Sequence, residues 1–465
     1  MRSAKRLLIV VTGLLTVALI VLLDEQQQKH QQNGQQFDAR RRIVKDGDEQ
    51  LATLRAQGEH YGNAKIHKDH EQMQAASRPN VDFGVVPMAR STRSPPMTAL
   101  PRTRRHAPPK WDVWRAWSTD PDRLYPRPAL ESSDMRDLLQ DMATLPITAA
   151  KVGYRGTQLK MLLTLEGGQA VVFKPRRFDR DFTIVGETYA GFDRHNAEIA
   201  GFHLDGVLGY QRSPPVVGRV LNLPREVLPV AEPRLKSTFF YQGNNICFYG
   251  VCRYCKRELA VCAKNGIMEG SVTIWLANSP QLKTWQHPYQ RTYSSTRRAR
   301  WETDKSYCDK AVLSKDLFKK GPRLLDLLDA TVMDYLVGNA DRHHYETVQK
   351  YGDSARLLMM DNGKSFGNAY NDDASILEPL NQCCRLRSST WKRLQVFEEQ
   401  RGAHSLSHAL NASMSIDPLS PILYSTHLKA IDRRRRDVMA AVERCIVRRG
   451  RDNVIIDDKP ANEHT

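Results

Sequence analysis

Two short stretches of this chain carry residue types suited to one reaction. They are Asn339-Ala340-Asp341-Arg342-His343-His344-Tyr345-Glu346 and Asp361-Asn362-Gly363. Phosphoryl transfer needs one carboxylate to accept or orient an attacking hydroxyl, and another to hold the cation that bridges the phosphates. Asp341 and Asp361 suit those two jobs. Glu346 adds a third carboxylate five positions after Asp341, and oxygen ligands of this kind suit a hard divalent cation. The competing reading is a surface acidic loop beside a core strand.

The elements around these residues are readable from periodicity. Leu324, Leu328, Val332 and Tyr335 recur at three and four residues, which predicts one helix face closing near Gly338 and delivering Asp341. The apolar run Leu357, Leu358, Met359, Met360 predicts a covered strand that delivers Asp361. A catalytic Asp with an oxygen ligand at plus five, followed by an acidic loop, is the order of a kinase active site with altered residues.

A kinase needs a phosphate-binding lysine. Leu159–Leu165 and Gln169–Lys174 are short apolar segments joined by Glu166-Gly167-Gly168, which predicts a hairpin with Lys174 closing its second strand. A lysine there is ordinarily a solvated strand end, and the downstream carboxylates favour the phosphate-binding reading. Gly153 and Gly156 in GYRGTQ fit a loop over the phosphates without completing the full glycine pattern. Tyr189–Leu208 reads as a helix with Ile199, Phe202 and Val207 inward and with Asp193 and Glu198 on it. The bland reading of both carboxylates is an exposed helix face.

At 465 residues the chain has room for one large two-lobed domain with appendages. Its 69 basic and 52 acidic residues leave a formal charge of +17, which fits nucleic acid, anionic lipid or an acidic glycan and does not choose among them. Arg2, Lys5 and Arg6 precede an uncharged run, Leu7–Leu23, followed by Asp24-Glu25 with no small-residue cleavage site. This favours an uncleaved signal anchor over a signal peptide, with residues 1–6 cytosolic and the rest lumenal. Residues 24–110 are rich in Gln, Arg, His and Pro and read as a disordered stem. Trp111, Trp114 and Trp117 mark the return of core-forming residues, as packing rather than a sugar-stacking platform. All eight cysteines lie after the stem, and an even set in a lumenal chain reads as four disulfides. For Cys252-Arg-Tyr-Cys255 the zinc alternative lacks a second pair at finger spacing. Asn411-Ala-Ser413 is a glycosylation sequon. Pro421–Arg449 reads as a basic helix packing through Ile422, Leu428, Ile431, Val438, Ala441 and Ile446, its Arg433–Arg436 run a solvated face. Residues after Asp452 read as a polar tail.

Longer stretches carry a resemblance. DYLVGNADRHHYE, MDNGKSFG and LNQCCRLRSSTW, with GTQLK, VVFKP, FDRHNAEIAGFHLD and NNICFYGVCRYC upstream, resemble the secretory-pathway kinases that include glycosaminoglycan xylosylkinases and the Golgi casein kinase. The resemblance spans about residues 150 to 455, and NADRHHYE and GETYAGFDRHNAE lean toward the xylosylkinase branch. It implies an α+β, atypical two-lobed protein-kinase-like fold with a disulfide-stapled, mostly helical large lobe, here residues 111–452, and a tail at 453–465. It implies Asp341 as catalytic residue. Gln158, Lys174, Thr273, Ile274, Trp275, Leu276, Glu346 and Asp361 would contact nucleotide, and Asp193 and Asp361 would hold the metal. Glu198 is a candidate partner for Lys174. The implied bridges are Cys247 with Cys262, Cys252 with Cys255, Cys308 with Cys383, and Cys384 with Cys445.

The implied activity is transfer of the ATP γ-phosphate to the 2-hydroxyl of xylose in the glycosaminoglycan linkage region of proteoglycans, with Mn2+ or Mg2+. The expected setting is the Golgi membrane, single-pass, with the catalytic domain lumenal, the linkage glycan as partner and no nucleic acid. The alternatives are a secretory-pathway protein serine kinase and a catalytically silent regulatory pseudokinase.

Overall fold

The computed structural model describes residues 108–127, 129–153, 156–277, 280–294, 296–399 and 405–458. The expected anchor Leu7–Leu23 and nearly all of the stem lie outside the described residues. Among those described, no helix is long and apolar enough to cross a membrane.

The amino-terminal half is organised by a five-stranded antiparallel sheet of β1 (Ile147–Val152), β2 (Met161–Leu165), β3 (Ala170–Pro175), β4 (Val216–Asn222) and β8 (Ile267–Ile274), in spatial order β1-β2-β3-β8-β4. The expected hairpin is β2–β3, and β1 extends it by one strand. Gly167 and Gly168 turn the chain with φ of +82° and +85°, values an L side chain rarely adopts. Helix α1 (Trp111–Trp117) packs on that turn: the Trp111 indole N–H donates to the Glu166 carbonyl at 2.8 Å, and that of Trp114 to the Trp275 carbonyl at 3.0 Å. These tryptophans are packing residues, as expected. Lys110, assigned above to the stem, also docks: its backbone N–H donates to Asp141 at 2.8 Å on α2 (Ser133–Thr144). A small sheet of β5 (Phe239–Gln242), β6 (Asn245–Phe248) and β7 (Val261–Cys262) stands beside the main one, and Cys247–Cys262 clasps β6 to β7.

The expected helix from Tyr189 begins only at His195, as α3 (His195–Leu208). The preceding residues are held elsewhere. The Arg194 N–H donates to the Gly363 carbonyl at 2.8 Å, and its guanidinium donates to the carbonyls of Ser365 at 2.8 Å and Lys364 at 2.5 Å. Asp193 therefore sits in a loop pinned to the second acidic segment, not on a helix face.

The large lobe is built around α4 (Arg323–Val337), which ends at Gly338 with φ of +70° and a left-handed cap, where the hydrophobic periodicity placed it. Leu357, Leu358 and Met359 are buried and Met360 partly so, but the run forms no sheet strand, contrary to expectation. Its backbone N–H groups go one by one to unlike partners: Leu357 to the Asp326 carboxylate at 3.2 Å, Leu358 to the Glu346 carbonyl at 2.9 Å and Met359 to the Arg212 carbonyl at 3.0 Å. Apolarity correctly gave burial, and separate bonds to one carboxylate and two distant carbonyls replaced the ladder. Strands β9 (Leu282–Gln286) and β10 (His344–Val348) form a hairpin-like pair beside it.

Short helix α5 (Glu378–Cys383) meets α8 (Ser425–Arg449), with α6 (Ser388–Glu399) and α7 (Leu406–Met414) between them in the chain. Ile422, Ile431, Val438 and Ala441 are buried, and Leu428 and Ile446 are partly so, in line with the pattern read above. The arginine run is not a solvated face, for Arg434 and Arg435 are buried. Arg434 donates to the Leu336 carbonyl at 3.2 Å, to the carbonyls of Asn368 and Asn371 at 3.0 Å each, and to Asp372 at 2.6 Å. A cation thus caps the negative end of α4 and gathers the segment after Asp361. Of the expected tail, the described residues 453–458 are not free either: β12 (Ile455–Ile456) pairs in parallel with β11 (Leu386–Arg387), and Asp458 accepts from the Ser389 N–H at 3.0 Å.

All eight cysteines are bridged in the four expected pairs. Cys308–Cys383 and Cys384–Cys445 anchor α5 on both sides, closing sequence separations of 75 and 61 residues. Asn411 is exposed on α7.

Candidate active site

Lys174, at the end of β3, is buried, and its ammonium is ringed by carboxylates: Asp193 at 2.9 Å, Glu198 at 2.5 Å and Asp361 at 3.0 Å. Burial alone would lower its pKa. The attraction of Asp193, Glu198 and Asp361 outweighs that, and Lys174 is held protonated well above its usual range.

Each carboxylate arrives from a different element. Glu198, on the first turn of α3, gives one oxygen to Lys174 and accepts the Asn362 N–H on the other at 3.1 Å. Burial, helped by Asp361 and Asp193, pushes its pKa up against the pull of Lys174. Asp361 has φ of +56°, a strained value for a residue with a side chain, and its carboxylate stands open to the cleft with 84% of its surface exposed. Lys174 is the main cause of its depressed pKa. Asp193 lies against Gly363, where an added Cβ would sit 2.6 Å from the carboxylate carbon, so glycine there is required by close approach. Carboxylate oxygens of Asp193, Glu198 and Asp361 come within 4.8 Å of one another. Glu198 therefore belongs to the possible ligand set as well as pairing with Lys174, which the sequence did not reveal. Glu346, on β10, has its pKa pushed up to about 7 by burial and then by Asp361, which places it beside the same cluster.

Asp341 is set apart. Its carboxylate accepts the Tyr293 hydroxyl at 2.6 Å, its N–H donates to Asn339 Oδ1 at 3.0 Å, and His343 Nδ1 lies 2.7 Å from its carbonyl oxygen. The neighbouring Arg342 joins the two acidic segments. Its guanidinium holds Asp334 at 2.5 and 2.8 Å, the Met360 carbonyl at 2.8 Å and Asn362 Oδ1 at 3.0 Å. Tyr293, with φ of +54°, and Arg342 were missed in the sequence. Arg342 stands inside a motif already singled out, whereas nothing local ties Tyr293 to a residue 48 positions away.

Thr273, on β8, is in register with Val172, two residues along β3 from Lys174, or about 7 Å at strand rise. The segment Thr273–Leu276 thus lies along the sheet from the charged cluster. The Trp275 N–H donates to the Ala170 carbonyl at 3.0 Å, and its carbonyl accepts from Trp114 and Gln169. Those two peptide groups serve the protein. Gln158 approaches the cluster through the Asp193 N–H at 3.4 Å.

The site's chemistry agrees with comparisons to known proteins. The family described as Golgi casein kinase, C-terminal, Fam20, matches residues 109–454. Human glycosaminoglycan xylosylkinase is 49% identical over 354 residues, 76% of this chain and 84% of that protein. The structure of hydra Fam20 with sugar superposes with a TM-score of 0.72 at 46% identity, covering 76% of this chain and 100% of the other. The Golgi casein kinase with Mn/ADP bound superposes with a TM-score of 0.71 at 37% identity, covering 76% and 85%.

Proposed function

The chain belongs to the Fam20 family, and from that premise we propose that it is a lumenal kinase transferring the γ-phosphate of ATP to the 2-hydroxyl of xylose in the glycosaminoglycan linkage region of proteoglycans. The observation that carries the phosphotransfer reading is the separation of two kinds of carboxylate. Three crowd around one buried lysine, and Asp341 stands apart from it, with the Tyr293 hydroxyl at 2.6 Å and His343 Nδ1 at 3.7 Å from its carboxylate. The sugar reading is supported by 49% identity to human glycosaminoglycan xylosylkinase, against 40% to the human extracellular serine/threonine protein kinase FAM20C.

The donor set fits a hard divalent cation, because it consists of carboxylate oxygens with neither thiolate nor imidazole among them. Asp193 and Asp361 would hold it, with Glu198 in reach, and the ion, Mn2+ in the relative's structure, supplies neutralisation of charge on the bridging phosphate oxygens. Lys174, fixed by Glu198, presents a permanent cation to the phosphates. Gln158, Thr273–Leu276 and Glu346 complete the nucleotide side. Asp341, oriented by Tyr293, accepts the acceptor hydroxyl and aligns it for in-line attack. Positioning and charge compensation supply most of the rate, since phosphoryl transfer asks little covalent chemistry of the protein.

The anchor at Leu7–Leu23, the type II Golgi membrane setting and a glycan on Asn411 belong to the same proposal. Four bridges in the catalytic domain support an oxidising compartment. The purified lumenal domain should phosphorylate a galactosyl-xyloside with ATP and Mn2+, mass analysis placing the phosphate on the xylose 2-hydroxyl. Asp341→Ala should lose at least about 10^3 in kcat, roughly 4 kcal/mol, with Tm unchanged. Labelling of casein-like peptides and not of the xyloside would replace the sugar reading by the protein-kinase one.

A further inference from the structure

The strand register brings a second lysine into the nucleotide cleft. Met161 pairs with Phe173 across β2–β3, and Val152 with Met161 across β1–β2. One step further along these ladders, Lys160 falls opposite Lys174 on one side and opposite Gly153 on the other. Leu159, Met161 and Leu163 are buried in the core, so alternation turns Lys160 to the face that carries Lys174. Its path is marked by two glycines. A Cβ at Gly153 would sit 2.4 Å from Lys160 Cγ, and one at Gly156 would sit 2.6 Å from its Nζ. The side chain therefore runs against both glycines, whose missing Cβ atoms leave it room.

The loop is braced from outside. The Arg253 N–H, inside the Cys252–Cys255 loop, donates to the Gly156 carbonyl at 3.2 Å. Burial, and then Lys174, lower the Lys160 pKa against the pull of Asp361, Asp193 and Glu198, so the charged groups it faces are those of the cluster.

We propose that Lys160 is a second phosphate-binding cation, which reaches past Gly153 and Gly156 to contact the polyphosphate of a bound nucleoside di- or triphosphate beside Lys174. Two lysines opposite each other on one sheet face repel, an arrangement that costs stability unless an anion lies between them. Charge balance points the same way. The three carboxylates and Lys174 sum to −2, a divalent cation brings the set to zero, and Lys160 makes it positive before a polyanion enters. The assignment rests on the nucleotide reading of the cleft and is independent of which acceptor is phosphorylated.

The test compares binding of ADP·Mn2+ and of adenosine to the intact lumenal domain, by calorimetry and by thermal shift. Lys160→Met should weaken ADP·Mn2+ roughly tenfold to hundredfold, the range for loss of a charge-assisted hydrogen bond, and leave adenosine binding unchanged. It should also raise the KM for ATP without moving that for acceptor, and Lys160→Arg should restore part of the affinity. Gly153→Ala provides a variant that keeps every charge and only presses on the Lys160 stem; it should weaken ADP·Mn2+ in the same selective way. Unchanged ADP·Mn2+ affinity in Lys160→Met, or equal loss of ADP and adenosine, overturns the assignment of Lys160 alone. Failure of the wild-type protein to bind ADP·Mn2+ overturns the nucleotide reading and Lys160 with it.

Discussion

Two clusters of buried charge, joined by the segment from Leu357 to Asp361, are built on opposite principles. In the cleft, Lys174 faces Asp193, Glu198 and Asp361, one cation among three carboxylates, with Asp361 open to solvent. Under α4, Asp326 and Asp329 are fully buried and hold Arg212, Arg387 and Arg356, three cations between two carboxylates. The second cluster is also saturated by neutral donors, the Leu357 N–H at 3.2 Å on Asp326 and the Thr390 hydroxyl at 2.7 Å on Asp329. The electrostatics follow the counts. Burial would raise Asp326, but Arg212, Arg387 and Arg356 prevail and lower it, whereas Glu198 in the cleft is pushed up by burial and by its acidic neighbours. A closed cluster with its acceptors used fixes where the chain runs. An open one with carboxylates in excess is prepared for a cation and the phosphates it carries.

The largest effect that tests this contrast is on turnover. Asp361→Asn removes one of the excess carboxylates, and should lower kcat by at least about 10^3, or roughly 4 kcal/mol of transition-state stabilisation. Because Asp193 and Glu198 remain on Lys174, Tm should fall only slightly for loss of a charge that Lys174 favours. A fall in Tm comparable to the loss of activity would make the cleft cluster structural and erase the difference between the two regions.

Next in size is the mirror-image change. Asp329→Asn leaves Arg212 and Arg387 buried without a full partner, and breaking such a pair typically costs about 3–5 kcal/mol. Denaturant unfolding should show that loss, while kcat measured well below the lowered midpoint should stay within about twofold of wild type. A large kcat loss in a folded Asp329→Asn protein would mean that the closed cluster takes part in catalysis through the Leu357–Asp361 segment it holds.

The same contrast explains what could be read from the sequence. Asp341, Asp361 and Lys174 were legible because each sits in a contiguous stretch whose residue types match a reaction, and α4 was legible because its apolar period runs unbroken to Gly338. Asp193 lies beside Lys174 but in a loop, not on the helix its sequence suggests, since the bonds from Arg194 to Gly363, Lys364 and Ser365 that pin that loop span about 170 residues. The Arg433–Arg436 run was taken as solvated because composition cannot show that the α4 carbonyls and Asp372 wait for Arg434. Met359 and Leu357 were read as strand because apolarity reports burial and not the partner of each N–H. Tyr293 left no local signal, as its hydroxyl meets Asp341 and His343, 48 and 50 positions away. Local pattern reported elements, and long-range polar pairing decided how they were finished.

The smallest effect concerns pH and should come from the closed interior rather than the cleft. His203, on α3, is buried with its ring 2.8 Å from the Ser413 hydroxyl, and burial pushes its pKa down to about 3. In the unfolded chain the same group takes a proton near pH 6.5. Between those values the unfolded state holds one more proton than the folded state, so stability falls as pH drops below 6.5, by at most about 1.4 kcal/mol per pH unit from this site. His203→Gln removes the titration and keeps an amide able to bond Ser413. Its stability should lie within about 1 kcal/mol of wild type at pH 7, and its decline between pH 6.5 and 4.5 should be shallower by that slope. Asp361→Asn should steepen this limb rather than flatten it, because it eases the raised pKa of Glu346, a site that loses stability as pH rises through the window. Denaturant unfolding of the three proteins across pH 4.5–7 makes the comparison; a flattened limb in Asp361→Asn and an unaltered one in His203→Gln would place the acid sensitivity in the cleft and reverse the assignment.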